Sequence, residues 1–174
     1  MKNLLLLLIT ILLYNTARAQ TPADSTIKHS SLKTLSDVQY NALINGDDIY
    51  GMSLAAELNQ YPSPEKVIKY KHELDLSPIQ INKIEVINKE FYRKKLEMGL
   101  IIIKNERTLD SMFKHHNLNN GSLIFYTNRY GLYQGEMRNT ILQACLATRV
   151  LLSQQQINRF EALEKKAKAV TQVQ

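Results

Sequence analysis

The feature that most constrains the fold of this chain is a short segment that occurs twice. Residues 76–84 (LSPIQINKI) and 152–160 (LSQQQINRF) share Leu, Ser, Gln, Ile and Asn at equal offsets. In each copy the Ser hydroxyl can cap a helix, and the Gln three residues later can reach back to the Ser amide, which makes a capping box. The Leu before the cap can pack against the following Ile as a hydrophobic staple. Each copy therefore predicts a helix start, and the motif residues are Leu76, Ser77, Gln80, Leu152, Ser153 and Gln156.

Two long helices are predicted between these starts. An apolar stripe with helical spacing comprises Ile84, Ile87, Phe91, Met98, Ile102, Leu109 and Phe113, and charged Lys95 and Glu106 interrupt it. The polar run from His115 to Gly121 predicts a helix end and a turn. A second stripe comprises Leu123, Tyr126, Tyr130, Tyr133, Met137, Ile141 and Cys145. Because the connection is short, the two helices are expected to run antiparallel.

Shorter helices are predicted on both sides of this pair. Asp47 and Asp48 suit the start of a helix over 49–60, and Ser63-Pro64 suits the start of another over 64–74. The second motif begins a final helix over 154–169. Residues 20–46 are rich in Ser, Thr, Asp and Asn without a sustained period, which predicts a flexible leader. The expected fold is all-α, a long antiparallel helical hairpin with short flanking helices over 47–170, followed by a tail at 171–174.

The N-terminus has the pattern of a secretory signal. Lys2 precedes a ten-residue apolar block over 4–13 (LLLLLITILL), and Ala17-Arg18-Ala19 is a small-x-small cleavage pattern. Ten apolar residues are fewer than the roughly 20 that a membrane-spanning helix needs. We therefore expect residues 1–19 to be a signal peptide, the mature protein to lie in the periplasm, and no stable membrane insertion after cleavage. An uncleaved membrane anchor is the alternative.

Charge and cysteine content narrow the possible partners. Removing Lys2 and Arg18 lowers the formal net charge from +6 to +4, and no dense Lys/Arg block points to nucleic acid. This mild positive charge favours acidic partners through long-range attraction. The single cysteine, Cys145, cannot form an internal disulfide, and its place on an apolar stripe predicts that it is buried.

No catalytic or cofactor-binding pattern is present in the sequence. It contains no G-x-S-x-G, no H-E-x-x-H and no phosphate-binding glycine loop, so we expect no enzyme activity and no cofactor. No two histidines have the i, i+4 spacing that lets both bind one metal ion. A metal site assembled from several helices is left open, and its candidate ligands are His29, His72, His115, His116, Met98, Met112, Met137 and Cys145.

The paired segments resemble the LTxxQ motifs of the Spy/CpxP family of periplasmic chaperones, with Ser77 and Ser153 in place of Thr. The stretch 146–156 is also similar to the sequence leading through that family's second motif. The resemblance covers roughly residues 64–165 and is diffuse between the motifs. It implies a curved cradle of four to five helices that forms a homodimer, responds to envelope stress and holds unfolded or partly folded envelope proteins without ATP. There are two alternatives: a heavy-metal sensor or metal-resistance protein of the same family and, from a different functional class, a structural or regulatory adaptor that docks on one envelope partner.

The length of the hairpin indicates where such clients would bind. A helix of eight turns is about 43 Å long, and one partner helix with short flanking helices cannot cover it on all sides. Some apolar surface is therefore expected to stay exposed or to enter a dimer interface. The predicted client-binding residues, chosen by helix position, are Lys94, Lys95, Lys104, Arg107, Tyr126, Tyr130 and Tyr133.

Overall fold

The computed structural model describes residues 27–171, and all regular secondary structure in that range is helical. The helices are α1 (Asp37–Asn45), α2 (Leu54–Glu57), α3 (Pro64–Lys69), α4 (Pro78–Lys114), α5 (Asn120–Val150) and α6 (Gln154–Thr171). The predicted all-α class and long hairpin are confirmed. The predicted signal peptide, residues 20–26 of the predicted leader and residues 172–174 lie outside the described residues.

Helices α4 and α5 form the hairpin, and local sequence signals explain its ends. Ser77 caps α4 with Pro78 at the first helical position, and His115 is the C-cap that follows its last residue, Lys114. The Asn119 side chain accepts a hydrogen bond from the Ser122 amide at 2.9 Å and so caps α5. Among the described residues, no helix is both long enough and apolar enough to span a bilayer.

The prediction of a flexible leader is wrong for residues 37–45, which form α1. Ser36 and Gln39 make a complete capping box at its start, and Gly46 ends it with a φ of 74°. The same L-S-x-x-Q-x-N pattern found at 76–82 and 152–158 is present at 35–41, and the sequence analysis overlooked this third copy. The leader composition concealed the helix because α1 is too short to show a sustained apolar period.

Helix α1 packs against α4 with unusually close backbones. A Cβ atom built on Gly99 would lie 2.0 Å from the Leu43 carbonyl oxygen, a distance that no side chain can occupy. Helix α1 can therefore approach α4 this closely only because residue 99 is a glycine. The contact brings Leu43, together with Leu32 and Leu35 from the segment before α1, into the buried core.

The interior consists of two apolar clusters. The first, here called the hairpin core, joins the chain before and within α1 to both long helices, and contains Leu32, Leu35, Leu43, Phe91, Ile102, Ile103, Met137, Ile141 and Ala144. The second, here called the motif core, joins the α3 region to the starts of α4 and α6, and contains Val67, Tyr70, Leu74, Leu76, Ile84, Leu152, Ile157 and Phe160. The motif core therefore lies where the two predicted motifs meet.

The two short flanking helices are shorter than predicted. Over 49–60 only α2 is helical, because Gly51 and Gln60 adopt positive φ values of 64° and 67° on either side of it. The Asp48 carboxylate accepts the Met52 and Ser53 amides, both at 2.8 Å, and so organises the preceding turn. Helix α3 ends at Lys69 instead of continuing to residue 74, and turns lead from there to the first motif.

Candidate functional site

Both predicted motifs form complete capping boxes. The Ser77 amide donates to Gln80 Oε1 at 3.0 Å, and the Gln80 amide donates to Ser77 Oγ at 3.2 Å. The second motif repeats this geometry, with 2.9 Å from the Ser153 amide to Gln156 Oε1 and 3.2 Å from the Gln156 amide to Ser153 Oγ. Each capping box satisfies two backbone N–H donors that a helix start would otherwise leave to solvent.

The two motif glutamines also bind each other. Gln80 Nε2 donates to Gln156 Oε1 at 3.0 Å, and Gln156 Nε2 donates to Gln80 Oε1 at 3.2 Å. The remaining N–H of each amide donates across the junction, from Gln80 to the Leu151 carbonyl at 2.8 Å and from Gln156 to the Leu74 carbonyl at 3.4 Å. Both donors and both acceptor positions of each amide are thus used. The motifs therefore tie the start of α4 to the start of α6.

Apolar contacts support this glutamine pair from within. Leu76 and Leu152 are buried in the motif core, where Ile157 is fully buried and Ile81 packs against the same cluster. Each motif Leu thus belongs to the same cluster as the Ile that follows it, as the predicted hydrophobic staples require. The motif residues therefore form a structural junction in which their side chains are engaged with each other.

The third copy of the pattern has a different tertiary role. Gln39 caps α1 through the Ser36 amide, but its Nε2 donates to the Tyr50 hydroxyl at 3.1 Å instead of to another motif glutamine. The pattern L-S-x-x-Q thus marks a helix start in all three places. The mutual glutamine pair distinguishes the two predicted copies from the third.

Lys95 is not a surface residue, so its prediction as a client-binding residue is wrong. Its side chain is 8% exposed, and Nζ lies 3.0 Å from Glu65 Oε1. The ammonium also lies 4.1 Å from the centroid of the Phe91 ring. A cation at this position is held by a carboxylate from α3 and by the face of an aromatic ring. Lys95 therefore fastens α3 to α4.

The other predicted cations are accessible. Lys94, Lys104 and Arg107 are all exposed on α4. Lys94 Nζ lies 3.9 Å from a Glu90 oxygen, and Arg107 donates to Ser31 Oγ at 3.2 Å. Such exposed contacts contribute little to stability, so these cations can exchange partners at low cost.

The three predicted tyrosines are half-buried on α5. Tyr130 and Tyr133 pack against the hairpin core, and their hydroxyls accept hydrogen bonds from Gln134 at 3.1 Å and from Arg129 at 2.6 Å. Burial raises the pKa of the Tyr130 hydroxyl above its ordinary value. Tyr126 receives a hydrogen bond on its backbone carbonyl from the buried Asn105 side chain at 3.0 Å. These tyrosines thus stabilise the hairpin and expose only part of their surface.

The surface with a mixed apolar and basic character lies on α4. Helical spacing places a set of residues on one side of the helix, here called the α4 outer face, consisting of Val86, Lys89, Arg93, Leu96, Leu100, Lys104 and Arg107. Val86 and Leu100 are 64% and 58% exposed.

The α4 outer face contains a recess of about 540 Å³ in the N-terminal half of the helix. The recess is lined by Val86, Lys89, Glu90, Tyr92, Arg93 and Leu96. Of the residues of the α4 outer face, the sequence analysis predicted only Lys104 and Arg107 as client-binding residues.

Ion pairs organise the rim of this recess. Arg93 donates to Glu90 at 2.7 Å and to Glu97 at 2.9 Å, one helical turn away on either side. The hydrogen bond from Arg93 lowers the pKa of the Glu90 carboxyl. The charges of Arg93, Glu90 and Glu97 partly neutralise one another. Lys89 and Lys104 therefore give the α4 outer face its positive charge.

A second groove of about 540 Å³ runs between α4 and α5 and adjoins the recess. Its apolar wall includes Ile87, Phe91, Met98, Ala144 and Ala147, and its charged side chains are Glu90, Lys94, Glu97 and Glu136. Val86 and Glu90 line both depressions, so the two form one continuous surface. An extended apolar segment could therefore contact the α4 outer face and the groove at once.

Three of the candidate metal ligands, His29, His115 and Cys145, have other partners or are buried. Within residues 27–171, no group of three or more His, Cys, Asp or Glu side chains is placed to hold a metal ion. His115 Nδ1 lies 2.7 Å from the Ser111 carbonyl, and His29 Nδ1 lies 2.9 Å from Asp37. Cys145 is fully buried as predicted, and desolvation raises the pKa of its thiol to about 11. A thiol with that pKa is almost entirely protonated at neutral pH, which makes it a weak nucleophile.

Comparisons with protein-family models, with curated proteins and with solved structures found no match to this chain.

Proposed function

We propose that the protein is a holding chaperone of the periplasm that binds unfolded or partly folded envelope proteins without ATP. The observation that carries this proposal is the α4 outer face, where large apolar side chains are exposed between cations. Burying apolar area stabilises a complex by about 25 cal/mol per Å². Leu100 and Val86 offer such area to any apolar client segment, whatever its sequence.

The charge on this face favours a class of client. Lys89, Lys104 and Arg107 lie among the exposed apolar residues. Cations next to apolar surface attract segments in which acidic residues flank apolar ones, and this attraction accelerates the encounter. Exposed charges interact weakly at physiological salt. A client can therefore be released without an energy source, as a holding role requires.

The test is suppression of aggregation by the purified protein. An aggregating client is mixed with a several-fold excess of the protein, and light scattering is followed with time. The α4 variant Val86→Ser/Leu100→Ser is expected to lose most of the suppression. The control Ile49→Ser/Leu58→Ser removes exposed apolar residues that lie outside the α4 outer face, and it should act like the parent protein. No suppression by the parent protein, or equal loss in both variants, would refute the proposal.

The salt dependence of binding supplies a second readout. Lys104→Gln/Arg107→Gln should slow binding of an acidic client at low salt and have little effect at high salt, because exposed charges act mainly on the association rate.

Cell fractionation tests the proposed location. Recovery of the protein in the cytoplasm would contradict a periplasmic role.

A further inference from the structure

Helix α5 is apolar on two sides, and only one of them is covered by the rest of the chain. The side opposite the core carries five large apolar residues, here called the α5 outer face: Ile124, Phe125, Leu132, Leu146 and Val150. Their exposed fractions range from 52% for Phe125 to 75% for Val150. No charged residue lies between them on this side of the helix.

The α5 outer face is a long ridge. It extends over 26 residues from Ile124 to Val150, about 39 Å along the helix axis. None of its five residues lines the recess on α4 or the groove between α4 and α5. Protein partners gain most of their binding energy where an anchoring side chain fills a pocket. A ridge without such a pocket suits a broad, deformable apolar surface better.

The charged residues of α5 lie at the borders of this face. They are Arg129 on one border, Arg138 and Arg149 on the other, and Glu136 near Arg129. Three cations and one anion give the helix a net charge of +2. An arginine has a long apolar stem, so its guanidinium can reach past an apolar surface to a polar layer. A guanidinium also binds phosphate oxygens in a bidentate manner.

The charge of these arginines is not neutralised within residues 27–171, where none of the three takes part in an ion pair. Arg129 donates to the Tyr133 hydroxyl at 2.6 Å, and its Cζ lies 5.2 Å from the centroid of the Phe125 ring. Arg149 donates to the Gln154 side chain at 2.9 Å. These partners are neutral, so all three arginines retain a full charge for an anionic group.

The position of the cations distinguishes α5 from α4. On the α4 outer face, Lys89 and Lys104 lie among the exposed apolar residues. On α5 the apolar row is uninterrupted, and the arginines stand beside it. A helix that lies in a membrane surface needs this second arrangement, because its apolar row enters the acyl boundary while its cations stay at the level of the headgroups. The two kinds of group on α5 are thus complementary to the two layers of an anionic bilayer.

We propose that the α5 outer face docks on the surface of an anionic phospholipid bilayer. The helix lies in the plane of the surface, and Arg129, Arg138 and Arg149 contact headgroup phosphates. Docking of this kind is reversible and needs no helix that spans the membrane. The inference goes beyond the proposed chaperone function and does not depend on it. Because the α4 outer face belongs to the other long helix, it stays accessible to clients.

A local fluorescent reporter tests the contact directly. The chain contains no tryptophan, so Leu132→Trp and the control Leu100→Trp each introduce a single one at positions that are both 58% exposed. The full chain is mixed with vesicles of phosphatidylethanolamine and phosphatidylglycerol. Emission should shift to shorter wavelength in Leu132→Trp and stay unchanged in Leu100→Trp.

Two outcomes of the reporter experiment would overturn the proposal. Binding of the chain through the apolar block at 4–13 alone would leave both reporters unchanged, which would show that α5 does not touch the bilayer. A shift in Leu132→Trp that develops with protein concentration in the absence of vesicles would show that a second copy covers the face instead.

Co-sedimentation with the same vesicles tests the role of the charges. Arg138→Gln/Arg149→Gln should weaken binding about 25-fold, because each cation near an anionic surface contributes roughly fivefold. Binding to vesicles of phosphatidylcholine alone should be the same for this variant and the parent protein. The control Glu136→Gln removes the only acidic residue of α5 and should bind at least as well as the parent. Equal binding of the parent and the double arginine variant to the anionic vesicles would refute the proposed headgroup contacts.

A charge within the apolar row separates this surface from the chaperone surface. Leu132→Glu should lower vesicle binding by at least about tenfold, because a carboxylate would enter the acyl boundary next to anionic lipid. The same variant should suppress client aggregation as well as the parent protein does, since the α4 outer face is unchanged. Undiminished vesicle binding by Leu132→Glu would refute the membrane contact, whatever the outcome of the aggregation assay.

Discussion

Replacing Gln80 and Gln156 by alanine, singly and together, tests whether the two motifs act as one structural unit. Each single change removes the capping bond to a Ser amide, the two bonds between the glutamines and one bond to a backbone carbonyl across the junction. Four hydrogen bonds with a net contribution of roughly 0.5–1.5 kcal/mol each predict a loss of about 2–6 kcal/mol in the free energy of unfolding for either single variant.

The double variant should lose less than the sum of the single losses. The two bonds between Gln80 and Gln156 are counted in both single variants but disappear only once. The expected coupling energy is therefore about 1–3 kcal/mol. Urea unfolding followed by circular dichroism at 222 nm measures all three variants, and equal slopes of the unfolding curves would show that the same transition is compared.

The third capping box supplies the control. Gln39 caps α1 but shares no hydrogen-bond partner with Gln80 in the described structure. Gln39→Ala should cost about 1 kcal/mol, and its effect should add to that of Gln80→Ala within about 0.5 kcal/mol. If the Gln80 and Gln156 losses were equally additive, the glutamine pair would contribute nothing and the motifs would be two independent helix caps.

Three further predictions concern the contacts of α1 and α3. Gly99→Ala should destabilise the protein by about 1–3 kcal/mol, because the new methyl group would overlap the Leu43 carbonyl, and hydrogen exchange should increase over residues 37–45. Lys95→Met should change the free energy of unfolding by less than about 1 kcal/mol, since Met retains the apolar stem and half-exposed Glu65 can be hydrated, whereas a larger loss would show that the ion pair itself is essential. Hydrogen bonds from the Ser30 amide and then from His29 lower the pKa of the Asp37 carboxyl. The stabilisation of the fold by Asp37 is therefore present above the ordinary pKa of 3.8 and is lost as the pH falls through the lower folded-state pKa. Asp37→Asn should abolish this acid-induced loosening of α1, as measured by hydrogen exchange.

Local signals were sufficient to predict the main elements. Capping boxes and apolar stripes depend only on neighbouring residues, so the starts of α4 and α6 and the extent of the hairpin could be read from the sequence. The box at Ser36 is the same kind of signal. The L-S-x-x-Q pattern at 35–39 was sufficient to predict this helix start, but the polar composition of residues 20–46 led to the prediction of a flexible leader. Pattern is therefore a better guide than composition for a helix of this length.

Contacts between distant segments could not be predicted from these signals. A lysine on an apolar stripe is normally interpreted as an interruption of that stripe. Lys95 can be an interior residue because Glu65, which belongs to another helix, pairs with its ammonium group. The glutamine pair likewise requires that two helix starts, far apart in the chain, meet face to face. Each side chain has a complete local role, so nothing local indicates its second, tertiary one.

The α4 outer face combines two properties that a transient binding surface needs. Its exposed apolar residues alternate with cations, so the face stays hydrated when it is empty. The same apolar residues offer contact area to the proposed client, and the cations let that client leave when the salt concentration rises. If the α4 outer face proved to be covered in solution, the proposed binding role would fail.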